Sequence, residues 1–168
     1  PAALLHDLLD AFEQDVRNAM KLKAVKSRRL VLMENKFVKI FKYGNLRKRL
    51  SNLFFGTPAM KIWRNAHAIA LRGIRTPECF ALIETGRRSS VIGQWYFGAS
   101  SLGEFVRHRL SNAPREEKAR FIAELAAFIR QIHMAGVFHK DLKAGNVLVR
   151  QRGLFYDFAI IDVDRVEF

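Results

Sequence analysis

Residues 137–149 read Val-Phe-His-Lys-Asp-Leu-Lys-Ala-Gly-Asn-Val-Leu-Val, which puts Asp141 two residues after His139 and Asn146 five residues after Asp141. Asp162 follows thirteen residues after Val149, directly behind the apolar run Ala159-Ile-Ile161. A carboxylate, a carboxamide five residues on, and a second carboxylate behind a buried strand are the parts from which phosphoryl-transfer sites are built. In such a site Asp141 accepts the proton of the attacking hydroxyl. Its main task is orientation, because the transfer passes through a loose transition state in which positioning dominates. Asn146 offers a carbonyl oxygen and Asp162 a carboxylate, both hard ligands suited to Mg2+. Lys143, two residues past Asp141, would stabilise charge on the transferred group. His139 is read as a residue that packs and hydrogen-bonds the loop. Asp164, two residues past Asp162 and on the same strand face, could bind metal or pair with Arg165 or Lys140, and the structural role is preferred.

Lys39 is the candidate that orients phosphates. It stands mid-strand between Val38 and Ile40, flanked by Phe37 and Phe41, and a lysine inside an apolar strand needs an anionic partner. The alternative is an edge-strand lysine that blunts aggregation. Lys42 is the fallback, although alternation points it to the opposite face. Two parts common in such sites are missing. No glycine occurs between residues 21 and 37, and the helix expected from Pro58 to Leu71 contains no Glu.

The elements that must position these groups follow from periodicity. Residues 2–20 carry Leu4, Leu5, Leu8, Leu9, Phe12, Val16 and Met20 at helical spacing, an amphipathic helix. A basic stretch over 21–29 precedes two β-rich runs, 30–33 and 37–41, around a polar turn, which reads as a hairpin. A basic helix is expected within 44–51. Thr57 and Pro58 form a helix start, the first as a cap and the second suited to the first turn, and Gly73 stops that helix. Strands are expected over 78–84 and 90–96, a short helix over 102–110, and, after Asn112-Ala-Pro114, a long helix to about Ala135. That helix shows Phe121, Ile122, Leu125, Phe128, Ile129 and Ile132 on one face and ends at Gly136. A strand-rich first half and a helix-rich second half, with a glycine-containing joint near 97–103, predict an α+β chain of two lobes: residues 1–27 as helix and basic linker, 28–97 as a β-rich N-lobe, and 98–168 as part of a helical C-lobe.

The hydrophobic content of 49% makes the chain globular. Its net charge of +13 predicts attraction to polyanions such as nucleic acid, anionic lipid or phosphorylated glycan. The single Cys79 excludes an internal disulfide and fits a reducing compartment. No apolar run approaches the roughly 20 residues of a membrane span, and Asp7, Asp10, Glu13 and Asp15 interrupt any leader-like stretch. The expectation is a cytosolic protein or one peripheral to a membrane. A nucleic-acid binder would need aromatic residues interleaved with Lys and Arg on one sheet face; Phe37, Phe41 and Tyr43 near Lys39 and Lys42 match this weakly and are better read as lobe core, so no nucleic-acid partner is expected.

Over roughly residues 28–168 the sequence resembles the lipopolysaccharide kinase (Kdo/WaaP, InaA-like) family of the protein-kinase-like superfamily. The resemblance rests on Phe37-Val-Lys-Ile-Phe-Lys-Tyr-Gly44, Trp63-Arg-Asn-Ala-His67 with Arg72-Gly-Ile-Arg-Thr-Pro77, residues 137–149, and Ile161-Asp-Val-Asp-Arg165. It implies a protein-kinase-like fold and ATP-dependent phosphorylation of a Kdo or heptose hydroxyl in the lipopolysaccharide core at the cytoplasmic face of the inner membrane. By position it implies that Lys39 contacts ATP phosphates, that Asp141 is the base, and that Asn146 and Asp162 bind Mg2+. Residues 94–98, including Gln94 and Tyr96, would be the hinge that reads adenine through its backbone. The basic excess fits an anionic glycolipid substrate. The chain departs from the family in reading His-Lys-Asp, in having Lys61-Ile62 where a Glu is expected, and in stopping at Phe168, six residues after Asp162, so the C-lobe is expected to be truncated. The other readings are an atypical RIO- or Bud32-like protein kinase and a non-catalytic nucleotide-binding module.

Overall fold

The computed structural model describes residues 20–25, 28–33, 36–44, 46–85, 87–94, 96 and 98–168. The amphipathic helix expected over 2–20 lies outside the described residues, except that Met20 opens a strand. The chain divides into two compact units, one of residues up to Met60 with Cys79–Trp95 and one of Lys61–Glu78 with Tyr96–Phe168.

The first unit is built on a five-stranded antiparallel sheet. Its strands are β1 (Met20–Val25), β2 (Arg28–Met33), β3 (Lys36–Lys42), β4 (Cys79–Thr85) and β5 (Arg88–Gln94), in the order β1-β2-β3-β5-β4. Alternation along β3 sends Val38 and Ile40 to a core that holds Val31, Ile92, Ala81 and Ile83. Lys39 and Phe41 therefore share the opposite face. β3 is paired on both sides, Lys39 standing opposite Leu30 on β2 and Val91 on β5. This removes the edge-strand reading of Lys39. Helix α1 (Leu46–Phe55) follows β3 and reaches four residues beyond the expected basic helix. Helix α2 (Pro58–Leu71) starts where the sequence places it. Thr57 Oγ1 accepts the Met60 amide at 3.1 Å and its hydroxyl donates to Glu84 on β4, so the cap also fastens the helix start to the sheet.

In the second unit, α2 ends in a glycine cap and α4 (Arg115–Met134) does the same. The amide of Gly136 bonds His133 O at 3.0 Å and that of Val137 bonds Ile132 O at 3.1 Å. Gly136 has φ +67°, a conformation that costs a side-chain-bearing residue energy but not glycine. The turn delivers Val137, 2% exposed, into the loop that carries Asp141. Before α4 come β6 (Ser100–Ser101), the short helix α3 (Leu102–Phe105) and a π-helical turn, Val106–Leu110. Ser101 and Glu104 cap α3 reciprocally.

Strands β8 (Val147–Arg152) and β9 (Phe155–Ile160) form a hairpin that β6 extends to three strands. A ring-packed core joins this hairpin to α3 and α4: Phe105 stacks on Phe121 at 5.3 Å, Tyr156 meets Phe121 edge-on at 4.9 Å, and Phe128 stacks on Phe158 at 5.5 Å. Each such ring taken from water contributes about 1.5–3 kcal/mol. The face expected on α4 is only partly covered. Phe121, Phe128 and Ile132 are buried while Ile122 is 61% exposed.

Asp157 on β9 gathers three guanidinium groups. Arg150 Nη2 lies at 3.0 Å, Arg152 Nε at 2.7 Å, and Arg75, from the segment after α2, donates to the other oxygen. Burial pushes the Asp157 carboxyl up, but hydrogen bonds from Arg150 and Arg75 and the charges of Arg75 and Arg152 hold it below the usual carboxylate range. A depressed folded-state value stabilises the fold above the unfolded-state value of about 3.9 and loses that stabilisation as pH falls through the folded value. Asp157→Asn is expected to cost about 2 kcal/mol at pH 7, read as a lower urea midpoint with an unchanged slope. The difference from wild type should shrink in the acid range below the usual carboxylate value.

Candidate active site

The loop after α4 is held at both ends. β7 (Phe138–His139) pairs with β10 (Val166–Glu167), His139 standing opposite Val166. Lys140 donates through its backbone to Arg165 O at 3.2 Å, and its ammonium pairs with Glu167. Glu167 therefore holds Lys140, the residue suggested as a partner for Asp164.

His139 is 7% exposed. Its Nδ1 accepts the Asp141 amide at 3.2 Å, and its Nε2 is 3.0 Å from Ile161 O. A carbonyl can only accept, so these partners select the neutral form protonated on Nε2. His139 thus packs and hydrogen-bonds, tying the loop to the end of β9.

Three of the predicted residues meet directly. Asp141 Oδ2 accepts from Lys143 Nζ at 2.7 Å and from Asn146 Nδ2 at 3.2 Å. The same Asn146 nitrogen donates to Asp141 O at 2.9 Å. The Lys143 hydrogen bond is the main cause that holds the Asp141 carboxyl below its ordinary range, so Asp141 is anionic at neutral pH. Such a group orients a hydroxyl better than it stores a proton. Asn146, 6% exposed, donates its amide to Lys143 O at 2.8 Å and accepts the Ile161 amide at 2.9 Å. Its side-chain nitrogen is spent on Asp141, which leaves the carboxamide oxygen as the group able to meet a cation.

Asp162 lies beside this unit, one residue beyond Ile161. The structure corrects its expected setting. β9 ends at Ile160, Asp162 adopts φ 62°, ψ 46°, and Val163–Arg165 form a 3-10 turn. Asp162 and Asp164 therefore do not share a strand face. Asp162 has the only positive φ among the described residues other than glycine. Outside glycine, Asn and Asp a left-handed residue is rare, and such conformations gather at functional sites. Sequence reasoning missed what holds this turn. Asn65 of α2 donates its side-chain amide to Val163 O at 2.7 Å and to Val166 O at 3.4 Å. The only signal in the sequence was its place within Trp63-Arg-Asn.

Lys39 and Gln94 belong to the first unit and Tyr96 to the second. The Lys39 ammonium lies 5.9 Å from the centre of the Phe41 ring, a cation–π contact. Gln94 closes β5 and is exposed. The Tyr96 ring carries the Arg150 guanidinium at 4.9 Å. Trp95 and Phe97, the other side chains of the expected hinge, lie outside the described residues. Among the described residues no three His, Cys, Asp or Glu side chains form a metal cage. Among those residues, too, no helix is long and apolar enough to cross a membrane.

The sequence model described as the lipopolysaccharide kinase (Kdo/WaaP) family matches residues 24–168. In fold the chain is similar to WaaP, solved in complex with acyl carrier protein, with a TM-score of 0.65 and 18% identity over 92% of this chain and 65% of that one. It is also similar to the bifunctional kinase-methyltransferase WbdD, with a TM-score of 0.56 and 18% identity over 84% of this chain and 30% of that one. In sequence it is 27% identical over 93 residues to the KEOPS complex subunit Bud32 of Pyrococcus abyssi (strain GE5 / Orsay), covering 55% of this chain and 39% of that protein. The chain thus spans less than two thirds of the length of each of these relatives. The α+β fold is that of the protein-kinase-like proteins.

Proposed function

The chain belongs to the lipopolysaccharide kinase (Kdo/WaaP) family, and we propose that it takes part in moving the terminal phosphoryl group of ATP to a sugar hydroxyl, Kdo or heptose, of the lipopolysaccharide core. The observation that carries this reading is the hydrogen-bonded unit of Asp141, Lys143 and Asn146, tied through Asn146 O to the residue before Asp162. Asp141, anionic and anchored, accepts the proton of the attacking hydroxyl and aims its oxygen. Lys143, whose side chain is 60% exposed, lies against Asp141 and offsets charge on the transferred group.

The donor set fits magnesium. One carboxylate and one carboxamide oxygen suit a small hard cation that keeps waters and takes its remaining ligands from phosphates. Asp162 and Asn146 would hold it, and when bound it neutralises charge on the phosphates. Lys39 is assigned to the ATP phosphates, and the backbone around Gln94 and Tyr96 to adenine. Residues 28–97 then serve as the N-lobe and 98–168 as part of the C-lobe, preceded by 1–27. The net charge of +13 supports an anionic glycolipid substrate met at the cytoplasmic face of the inner membrane.

The likeness to Bud32 favours an atypical protein kinase as the second reading. The absence of Glu from α2 and of glycine from 21–37 supports a third, a nucleotide-binding module without turnover. Thermal stabilisation by ATP with and without magnesium tests whether there is a nucleotide site. At 100 times Kd the expected gain is about 2.7 kcal/mol, present only with the metal. Phosphate transfer to Kdo- and heptose-bearing lipid, compared with a protein acceptor, then separates the readings. No gain with or without the metal refutes the nucleotide site, a gain without metal dependence refutes the metal's part in it, and transfer to protein alone favours the second reading.

A further inference from the structure

Resting on that reading, the geometry points to Asn65 as the positioning residue for Asp162. Its carboxamide fastens the metal-binding turn to helix α2 and so couples the two by hydrogen bonds in a chain whose α2 has no Glu.

The two carbonyls that Asn65 serves, those of Val163 and Val166 at 2.7 and 3.4 Å, bracket the 3-10 turn that follows Asp162. A single 3-10 turn cannot satisfy its own terminal carbonyls. Val163 and Val166 are 3% and 7% exposed, so water is a poor substitute. A carboxamide nitrogen carries two hydrogens, one for each carbonyl, and only the nitrogen can face two acceptors, which sets the orientation of the amide. On its other side the turn has the Lys140 amide on Arg165 O and the Ile161 amide on Asn146 O. Asp162 is thus held left-handed from two directions, and Asn65 is the contribution of α2.

Two substitutions remove the donor differently. Asn65→Ala keeps helix propensity and deletes the group. Asn65→Asp keeps the shape and turns an acceptor toward two acceptors. Arg64→Ala, at the exposed neighbouring position, is the control. Amide hydrogen exchange of residues 161–167 would be measured without nucleotide or metal, together with the magnesium concentration that half-saturates the stabilisation by ATP. The expected result is exchange at least tenfold faster in that segment for both variants, with β8, β9 and α4 unchanged, and a midpoint about tenfold higher in magnesium, a change of about 1.4 kcal/mol. Arg64→Ala should change neither. Exchange and midpoint both within twofold of wild type in a folded variant overturn the inference. Faster exchange with an unmoved midpoint overturns it too, because Asn65 would then serve the fold alone. A wild-type chain without metal-dependent stabilisation fails the functional reading itself and takes the inference with it. That failure shows in the wild type, whereas failure of the inference shows only in the variants.

Discussion

Asp141→Asn is expected to lower ATP-dependent turnover by about 10²–10⁴-fold while KM for ATP changes little. The substitution keeps the shape that Asn146 and Lys143 contact at 3.2 and 2.7 Å and removes the charge. Three effects act together. The neutral amide cannot take the proton of the attacking hydroxyl. Lys143 loses the carboxylate that holds it and can turn elsewhere. The acceptor hydroxyl loses the anion that aims it, and in a loose transition state aim accounts for most of the catalysis. The measurement is kcat and KM on the proposed glycolipid acceptor, with circular dichroism to show that the fold is retained. Turnover within threefold of wild type would remove Asp141 from the chemistry. A rise in KM for ATP with kcat unchanged would recast it as a binding group.

Asp162→Asn should abolish the magnesium-dependent part of ATP stabilisation, about 2.7 kcal/mol at 100 times Kd. Asn is the informative choice because of the backbone. At φ 62°, ψ 46°, Asn is tolerated almost as readily as Asp, whereas Ala would add left-handed strain of about 1–2 kcal/mol and confuse loss of ligand with loss of fold. The carboxamide keeps one oxygen but not the charge that holds a dication among phosphates. A variant that still gains stability from ATP only when magnesium is present would show that the metal is held without Asp162.

Local order accounts for what the sequence by itself determined about this protein. Asp141, Lys143 and Asn146 lie within six residues, so a loop of ordinary geometry brings them together. The Thr57–Pro58 start of α2, the Gly136 end of α4 and the hairpin of β2 and β3 are set by caps, turns and period within a few residues. The family itself was legible from the motifs for the same reason.

Tertiary structure alone decided the contacts that join distant segments. Asn65 meets Val163 across 98 residues of chain and Arg75 meets Asp157 across 82, and no periodicity encodes such a pairing. The central place of β3 depends on β5 joining it after two helices, so a lysine that reads equally well on an edge strand stands instead in mid-sheet. The left-handed turn at Asp162 is invisible in Ile-Asp-Val-Asp because an Asp is cheapest there in an ordinary extended or helical conformation. It turns left-handed only where Asn146, Lys140 and Asn65 hold the flanking carbonyls and amides from outside. Short-range preferences select the elements, whereas the free energy that holds the Asp162 backbone in its left-handed conformation comes from groups that only the folded chain assembles.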